Sequence, residues 1–209
     1  MLSAATRCIR WFDLLLDPPN ETTKTYIDSR NSLACIINFI GGEPLLAIDL
    51  IDEITEYFKK RVVEVNHPWQ YNYLISIISN GVLYFNPKVQ EYLQKNLDHI
   101  TFAVSIDGNK QVHDACRVFP DGSGSYDLAI AAARDWQNNK HQLLGNKITI
   151  SPDTVQYVKD AVINLINEKY HYIHINCTYE SHWTIEHAKI YYHQLIELAD
   201  YILMNGIED

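Results

Sequence analysis

The stretch Ile36-Ile37-Asn38-Phe39-Ile40-Gly41-Gly42-Glu43-Pro44-Leu45 decides the fold. An apolar run rich in β-branched residues stops at two glycines, a carboxylate and a proline, and a helical pattern follows. That is the grammar of a buried strand, a tight turn and a helix. Glycines at the C-terminal end of a strand let a ligand reach bare backbone. Glu43 adds a negative charge at the rim where parallel sheets bind their ligands. Taken alone, the stretch is equally an ordinary βα turn with an acidic helix start.

The same alternation extends on both sides. Upstream, Ala4 to Leu16 carries Ile9, Phe12, Leu15 and Leu16 at the spacing of one helical face, and Asp17-Pro18-Pro19-Asn20 ends it. Glu21 to Asn31 is polar and reads as a loop before a strand from about Ala34 to Ile40. Downstream, Leu46 to Glu64 is a helix with Leu46, Leu50, Ile51, Ile54, Tyr57 and Phe58 on its inner face. A second strand, Tyr73 to Ile78, stops at Ser79-Asn80-Gly81, and Asn86-Pro87 starts a helix to about Leu97. The third strand, Ile100 to Ile106, ends in Asp107-Gly108, and a long polar loop containing Gly122-Ser123-Gly124-Ser125 follows. Then come a helix over Tyr126 to Asn138, a strand over Lys147 to Ile150 closed by Ser151-Pro152, and an amphipathic helix over Thr154 to Lys169. A fifth strand, Tyr172 to Cys177, and a helix from about Thr184 to Met204 complete the chain. Five strand–helix alternations with long connections predict an α/β fold with a parallel sheet and helices outside it. No repeat, low-complexity tract or linker divides residues 1–209, so one domain is expected.

Composition narrows the partners. With 17 Lys+Arg against 26 Asp+Glu the formal charge is -9, which speaks against nucleic acid and anionic membranes as partners. No apolar run approaches a membrane span, and Met1 to Arg10 lacks a signal-peptide pattern. The four cysteines, Cys8, Cys35, Cys116 and Cys177, lie far apart without a CxxC pair, which predicts a reduced, cytoplasmic protein. Cys8 and Cys35 are expected as small buried apolar side chains. The nine histidines include His174 near Cys177 and His182 near His187, but neither pair has zinc-ligand spacing, and no metal site is expected. No GxGxxG follows a strand, so a dinucleotide site is not expected either.

Four strand ends carry small or polar groups, and in a parallel sheet such ends share one rim: Gly41-Gly42-Glu43-Pro44, Ser79-Asn80-Gly81, Ser105-Ile106-Asp107-Gly108 and Ser151-Pro152. In this order, and with His113-Asp114, Arg117 and Gly122-Ser123-Gly124-Ser125-Tyr126, they resemble the radical S-adenosylmethionine (SAM) superfamily. The resemblance runs from about residue 30 to 190 and is closest to the peptide-modifying branch. Members of that branch carry a cysteine-rich C-terminal extension and act on Cys-rich repeat peptides made by the ribosome. It implies a partial parallel (β/α) barrel of about five β/α units, with SAM as cofactor and a peptide as substrate.

The resemblance also assigns roles. Gly41, Gly42 and Glu43 match the turn that holds the methionyl amino group, with Glu43 as acceptor. Ser79 and Asn80 stand where the family places a turn near the cofactor. Ser105 and Arg117 match polar positions that meet its ribose or carboxylate, for which an arginine fork is suited. Pro44 and Asp107, inside the same motifs, are counted with this cofactor-binding set. Each has a plain structural alternative: Asn80-Gly81 as a turn, Ser105 as a strand end, Arg117 as an ion pair.

One departure matters most. The family holds a 4Fe–4S cluster on a CxxxCxxC run, and that spacing occurs nowhere in these 209 residues. The first helix corresponds to the one that follows the cluster loop. The expectation is therefore a single core trimmed at both ends, a natural short product or a fragment, without the auxiliary-cluster domain and inactive alone. The alternative is a non-catalytic SAM- or peptide-binding protein, or a partner of a cluster-bearing chain. The missing first strand would leave an open sheet edge beside the second strand, which invites a homodimer. Tyr179-Glu180-Ser181-His182-Trp183, after the fifth strand, is either a peptide-contacting loop or an ordinary loop with a packing tryptophan.

Overall fold

The computed structural model describes residues 4–17, 32–140 and 144–207; the loop expected over Glu21 to Asn31 lies outside the described residues. The fold is α/β with parallel strands, the partial (β/α) barrel type expected from the sequence. The elements are α1 (Ala4–Leu16), β1 (Cys35–Phe39), α2 (Ile48–Glu64), β2 (Tyr73–Ser79), α3 (Pro87–Lys95) and β3 (Ile100–Val104). They continue with α4 (Lys110–Cys116), α5 (Tyr126–Lys140), β4 (Leu144–Ile150), α6 (Val158–Asn167), β5 (Tyr170–Cys177) and α7 (Ile185–Asn205). Strands form a three-stranded sheet in the order β1-β2-β3 and a two-stranded sheet, β4-β5. The chain divides into two compact units, residues 1–79 with 83–102, and residues 80–82 with 103–209.

In the first unit β1 and β2 run parallel, from Cys35 opposite Tyr73 to Phe39 opposite Ile77. Their outer side is sealed by a cluster of Leu16, Phe58, Val62 and Trp69, with Phe12, Leu15, Cys35, Ile37, Val65 and Tyr73 packed against it. Phe58 is wholly buried and lies 5.1 Å from the Phe12 ring and 5.3 Å from that of Tyr73. Burial of such a ring contributes roughly 2–3 kcal/mol. One polar pair is accepted inside: Thr55 Oγ1 and Tyr92 Oη share a hydrogen bond of 2.8 Å.

Here the inner face predicted for the second helix needs a correction. Leu46 is 76% exposed, whereas Leu45 is buried. Residues Pro44–Ala47 form a 3₁₀ turn before α2 begins. Three residues per turn shift the phase of the stripe, so Leu45 points inward in place of Leu46. From Ile48 onward the α-helical stripe holds, with Ile51, Ile54 and Phe58 buried.

In the second unit β4 and β5 are parallel, with Ile148 opposite Ile175 and Ile150 opposite Cys177. Ile148 and Ile150 of β4 are buried, and so are Val155, Val158, Val162 and Leu165, as the amphipathic pattern over Thr154 to Lys169 predicts. The third strand was expected to run to Ile106, but its ladder stops at Val104. The Asn146 side chain replaces the backbone partner there: its Oδ1 accepts from Ile106 N at 3.1 Å and its Nδ2 donates to Ile106 O at 2.5 Å. A buried amide that satisfies both backbone groups of one residue removes the penalty of leaving the ladder.

The long polar loop after Gly108 also needs correction, because residues Lys110–Cys116 are helical. Asn109 caps this helix by accepting from Val112 N at 3.1 Å, and Val112 and His113 are its buried residues. Two inward side chains are too few to register as periodicity. At the far end, Thr184 and His187 form a reciprocal capping box on α7, which stops at Gly206 in the left-handed conformation (φ 62°). Among the described residues no helix is long and apolar enough to cross a membrane.

Candidate functional site

The residues singled out from the sequence fall into two groups, one in each unit. In the first unit, Gly41 and Gly42 turn the chain after β1 with φ of 89° and 54°. A Cβ on either glycine would meet nothing within 4 Å, so the turn needs glycine for its backbone angles and leaves open space beside it. Glu43 follows with extended backbone and caps the 3₁₀ turn, its Oε1 accepting from Leu45 N at 3.0 Å. The same oxygen accepts from the hydroxyl of the buried Ser79, at the end of β2, at 2.7 Å. Two donors on one oxygen fix a half-exposed carboxylate beside a bare glycine turn. Pro44 is buried at the first position of the turn, where its missing N–H costs nothing.

In the second unit, Asn80 Oδ1 accepts from Val82 N at 2.9 Å across Gly81 (φ 79°). A Cβ on Gly81 would lie 2.8 Å from Val104 Cγ1 and 3.2 Å from Ala129 Cα, so close packing as well as backbone angle demands glycine. Ser105 is half-buried just beyond β3. Asp107 is 3% exposed, and its carboxylate receives the Nε and Nη2 edge of Arg117 together with Thr149 N at 3.0 Å. Arg117 remains partly accessible, with 29% of its side chain exposed.

The structure also gives roles to residues that the sequence marked only as a pattern. His113 is wholly buried; its Nδ1 accepts from Asp107 N at 3.2 Å, and its Nε2 lies 3.1 Å from Ser125 Oγ. Burial pulls its pKa below the usual histidine value, so the ring is neutral with the proton on Nε2. Ser125 Oγ in turn donates to Arg117 O at 2.9 Å. Asp114 accepts from Tyr126 N at 2.9 Å and so caps α5. A Cβ on Gly124 would sit 2.0 Å from the Asp114 Cγ, which explains the glycine in Gly122-Ser123-Gly124-Ser125. These contacts span 6 to 12 residues, beyond the reach of any helical or strand period.

The cysteines are placed singly. Cys35 packs against the apolar cluster of the first unit, and burial raises its thiol pKa to about 11. Cys8, expected to be buried, is exposed on α1 because the helix turns it away from Phe12, Leu15 and Leu16. Cys116 and Cys177 are exposed too. Among the described residues no group of three or more His, Cys, Asp or Glu is arranged to hold a metal ion. His187 serves in the α7 cap, and His174 is exposed on β5. After β5, Trp183 Nε1 donates to Thr178 O at 2.8 Å, while Tyr179 stands fully exposed.

The chain is similar to known proteins in sequence and in fold. No protein-family model matches the sequence. The radical SAM cyclopropyl synthase TigE of Paramaledivibacter caminithermalis is 25% identical over 183 residues, 85% of this chain and 35% of its own length. Among solved structures, anSMEcpe with bound AdoMet superposes with a TM-score of 0.71 at 16% identity, covering 95% of this chain and 52% of that one. The same protein with AdoMet and the Kp18Cys peptide gives 0.70 at 17% identity, with coverages of 95% and 52%. The chain shares the fold of these AdoMet-bound structures over nearly its whole length. The similar sequence is that of a radical SAM enzyme, and two of the structural neighbours were solved with peptides bound. The chain spans about a third of the curated relative's length and about half of the solved chains.

The two groups the superfamily uses fit these residues unequally. Glu43 in the first unit is a fixed carboxylate suited to an ammonium, and Arg117 in the second is a partly accessible guanidinium suited to a carboxylate. An iron–sulfur cluster does not fit: no CxxxCxxC spacing occurs in the sequence, and the cysteines stand on four different elements or their ends.

Proposed function

We propose that this chain binds S-adenosylmethionine as the core of a peptide-modifying radical SAM protein, without itself supplying the cluster. The observation that carries the reading is the Glu43 carboxylate, fixed by Ser79 and Leu45 N beside two glycines whose missing side chains leave open space. In that role Glu43 accepts from the cofactor's ammonium and Ser79 acts through Glu43. Gly41 and Gly42 give the ligand access to backbone, and Pro44 sets the start of the following turn. Arg117 takes the cofactor's carboxylate. Ser105 and Asn80 are assigned to the same cofactor-facing set at their strand ends, and residues 1–209 are read as one such core.

In the superfamily the cofactor supplies a 5′-deoxyadenosyl radical once it is reduced at a cluster. None of these 209 residues forms the cluster motif, and what the chain's residues do is bind and orient. The peptide is the other ligand of this reading. Solved neighbours hold one, and here the exposed Tyr179, on a loop braced by Trp183, offers an aromatic contact beyond β5.

Calorimetric titration of SAM into the purified chain, with and without anaerobic iron–sulfide reconstitution, tests the reading. The expected result is micromolar binding in both states, weakened at least about tenfold by Glu43→Ala, the loss of one charge-assisted contact. Absence of binding in both states would overturn it and turn attention to partner binding. A stoichiometric, oxygen-sensitive cluster with reductive cleavage of the cofactor would overturn the part that denies these residues a cluster.

A further inference from the structure

Arg117 is tied to the fold at both its ends, and the ties close on one another. At its side chain, Nε and Nη2 donate to the two oxygens of Asp107. At its backbone, the carbonyl accepts from Ser125 Oγ at 2.9 Å and from Ser125 N at 3.1 Å. Ser125 Oγ accepts from His113 Nε2 at 3.1 Å, and His113 Nδ1 accepts from the backbone N–H of Asp107 at 3.2 Å. The circuit therefore runs Asp107, His113, Ser125, Arg117 and back to Asp107. Every hydroxyl and ring nitrogen in it has a consistent donor or acceptor role. A further strut comes from β4, where Thr149 N donates to Asp107 Oδ1 at 3.0 Å. Asp107, His113 and Ser125 are buried, at 3%, 0% and 7% exposure.

The geometry leaves a function for the part of Arg117 outside this circuit. A guanidinium carries five N–H donors. Two of them face Asp107, and no other described residue accepts from the remaining three. They lie on the Nη1 and Nη2 end of the fork, the edge that grips a carboxylate with two parallel bonds. A free arginine side chain would lose much of its rotamer entropy on binding, and one already fixed loses little.

We propose that Asp107 is a positioning residue: with the His113–Ser125 bridge it locks Arg117 side-on, so that the end-on fork is presented ready-made to the carboxylate of the cofactor. The proposal rests on the reading of this chain as a SAM-binding core. It assigns Asp107 no contact with the cofactor, since its carboxylate is buried and already taken.

The test has a cofactor-free arm and a binding arm. In the ¹⁵N-labelled chain without ligand, the Arg117 Nε–H signal, assigned through Arg117→Lys, should exchange with water at least about tenfold more slowly than exposed arginines. Asp107→Asn should abolish that protection. In the binding arm, SAM should lose at least about tenfold in affinity with Asp107→Asn and with Arg117→Gln, and the double variant should lose no more than Arg117→Gln alone. Decarboxylated SAM should bind all of them equally, which a general loss of structure would not allow. An Arg117 Nε–H that exchanges freely in the unaltered chain overturns the proposal with no variant needed. Protection with undiminished SAM binding by Asp107→Asn overturns the positioning role. Protection without any SAM binding by the unaltered chain shows the circuit intact, and removes the cofactor reading and the purpose given to the circuit with it.

Discussion

Two carboxylates follow strand ends of the same grammar, Ile40-Gly41-Gly42-Glu43 and Ile106-Asp107-Gly108, and the fold uses them in opposite ways. Glu43 stands half-exposed beside glycines around which a Cβ would meet nothing. Asp107 is buried, and the glycine beside it is pressed against α6, where a Cβ would lie 2.5 Å from Ala161 Cβ. An acid and a glycine at the end of a parallel strand are thus compatible with an open, ligand-facing turn and with a packed structural joint. What separates them is the neighbour on the far side of the glycine, which no local motif encodes.

The sharpest way to break this contrast is to add one methyl group on each side. Gly108→Ala combines a backbone angle unsuited to a side chain (φ 122°) with a collision against Ala161 Cβ at 2.5 Å and its Cα at 2.8 Å. Strain and overpacking together should cost about 3–5 kcal/mol. Gly42→Ala has only the angle to overcome (φ 54°), in open space, and should cost about 1 kcal/mol. Urea denaturation of the two variants measures both. Equal losses would mean that the two strand ends do not differ in packing.

A smaller effect comes from acid. His113 is held neutral by burial; the carboxylate of Asp107 opposes that shift and the guanidinium of Arg117 adds to it, the net direction being downward from 6.5. The folded-state pKa therefore lies below that of the unfolded chain. The stability it contributes is complete above 6.5 and is lost as pH falls from there through the folded pKa, at up to about 1.4 kcal/mol per pH unit. Protonation of Nδ1 would also set a donor against Asp107 N–H, which opens the circuit around Arg117. Comparing denaturation at about pH 7.5 and about pH 5.5, the unaltered chain should lose more stability than His113→Gln. An identical loss in both would assign the acid sensitivity to other groups.

The same contrast separates what is legible in the sequence from what is not. Periodicity placed the strands and the long helices because Ile51, Ile54 and Phe58 on α2, or Val158, Val162 and Leu165 on α6, repeat their burial over several turns. It failed where one or two contacts govern. Helix α4 buries only Val112 and His113; the 3₁₀ turn at Pro44–Ala47 exchanges Leu46 for Leu45; and the ladder of β3 ends early because Asn146, forty residues on, bonds Ile106. The rim motifs were legible only as a set of candidates, and the lack of a CxxxCxxC run can be read directly from these 209 residues. The division of labour within the set was not. Arg117 was open to both a ligand and an ion-pair reading, and the structure shows the ion pair on one edge with 29% of the side chain still exposed. His113, Asp114, Gly124 and Ser125 carried a pattern without a mechanism until their contacts across the loop were seen.

The smallest change tests whether the open strand end is built for affinity. Ser79 is buried, and its hydroxyl donates to Glu43 Oε1 at 2.7 Å, so Ser79→Ala removes one hydrogen bond to a half-exposed carboxylate. The carboxylate keeps the Leu45 N–H bond, and the fold should lose only about 1 kcal/mol. The consequence for a ligand is different in kind. With the Ser79 donor gone, Glu43 gains rotamer freedom that an incoming ammonium must remove, and SAM affinity should fall roughly three- to tenfold. Ser125→Ala is the control from the other unit. It too removes a buried hydroxyl, but one that bonds the Arg117 backbone and His113, and its main effect should be on stability. If Ser79→Ala loses stability without affinity, the open turn is a joint like its counterpart, and Glu43 is fixed for the sake of the fold rather than for a ligand.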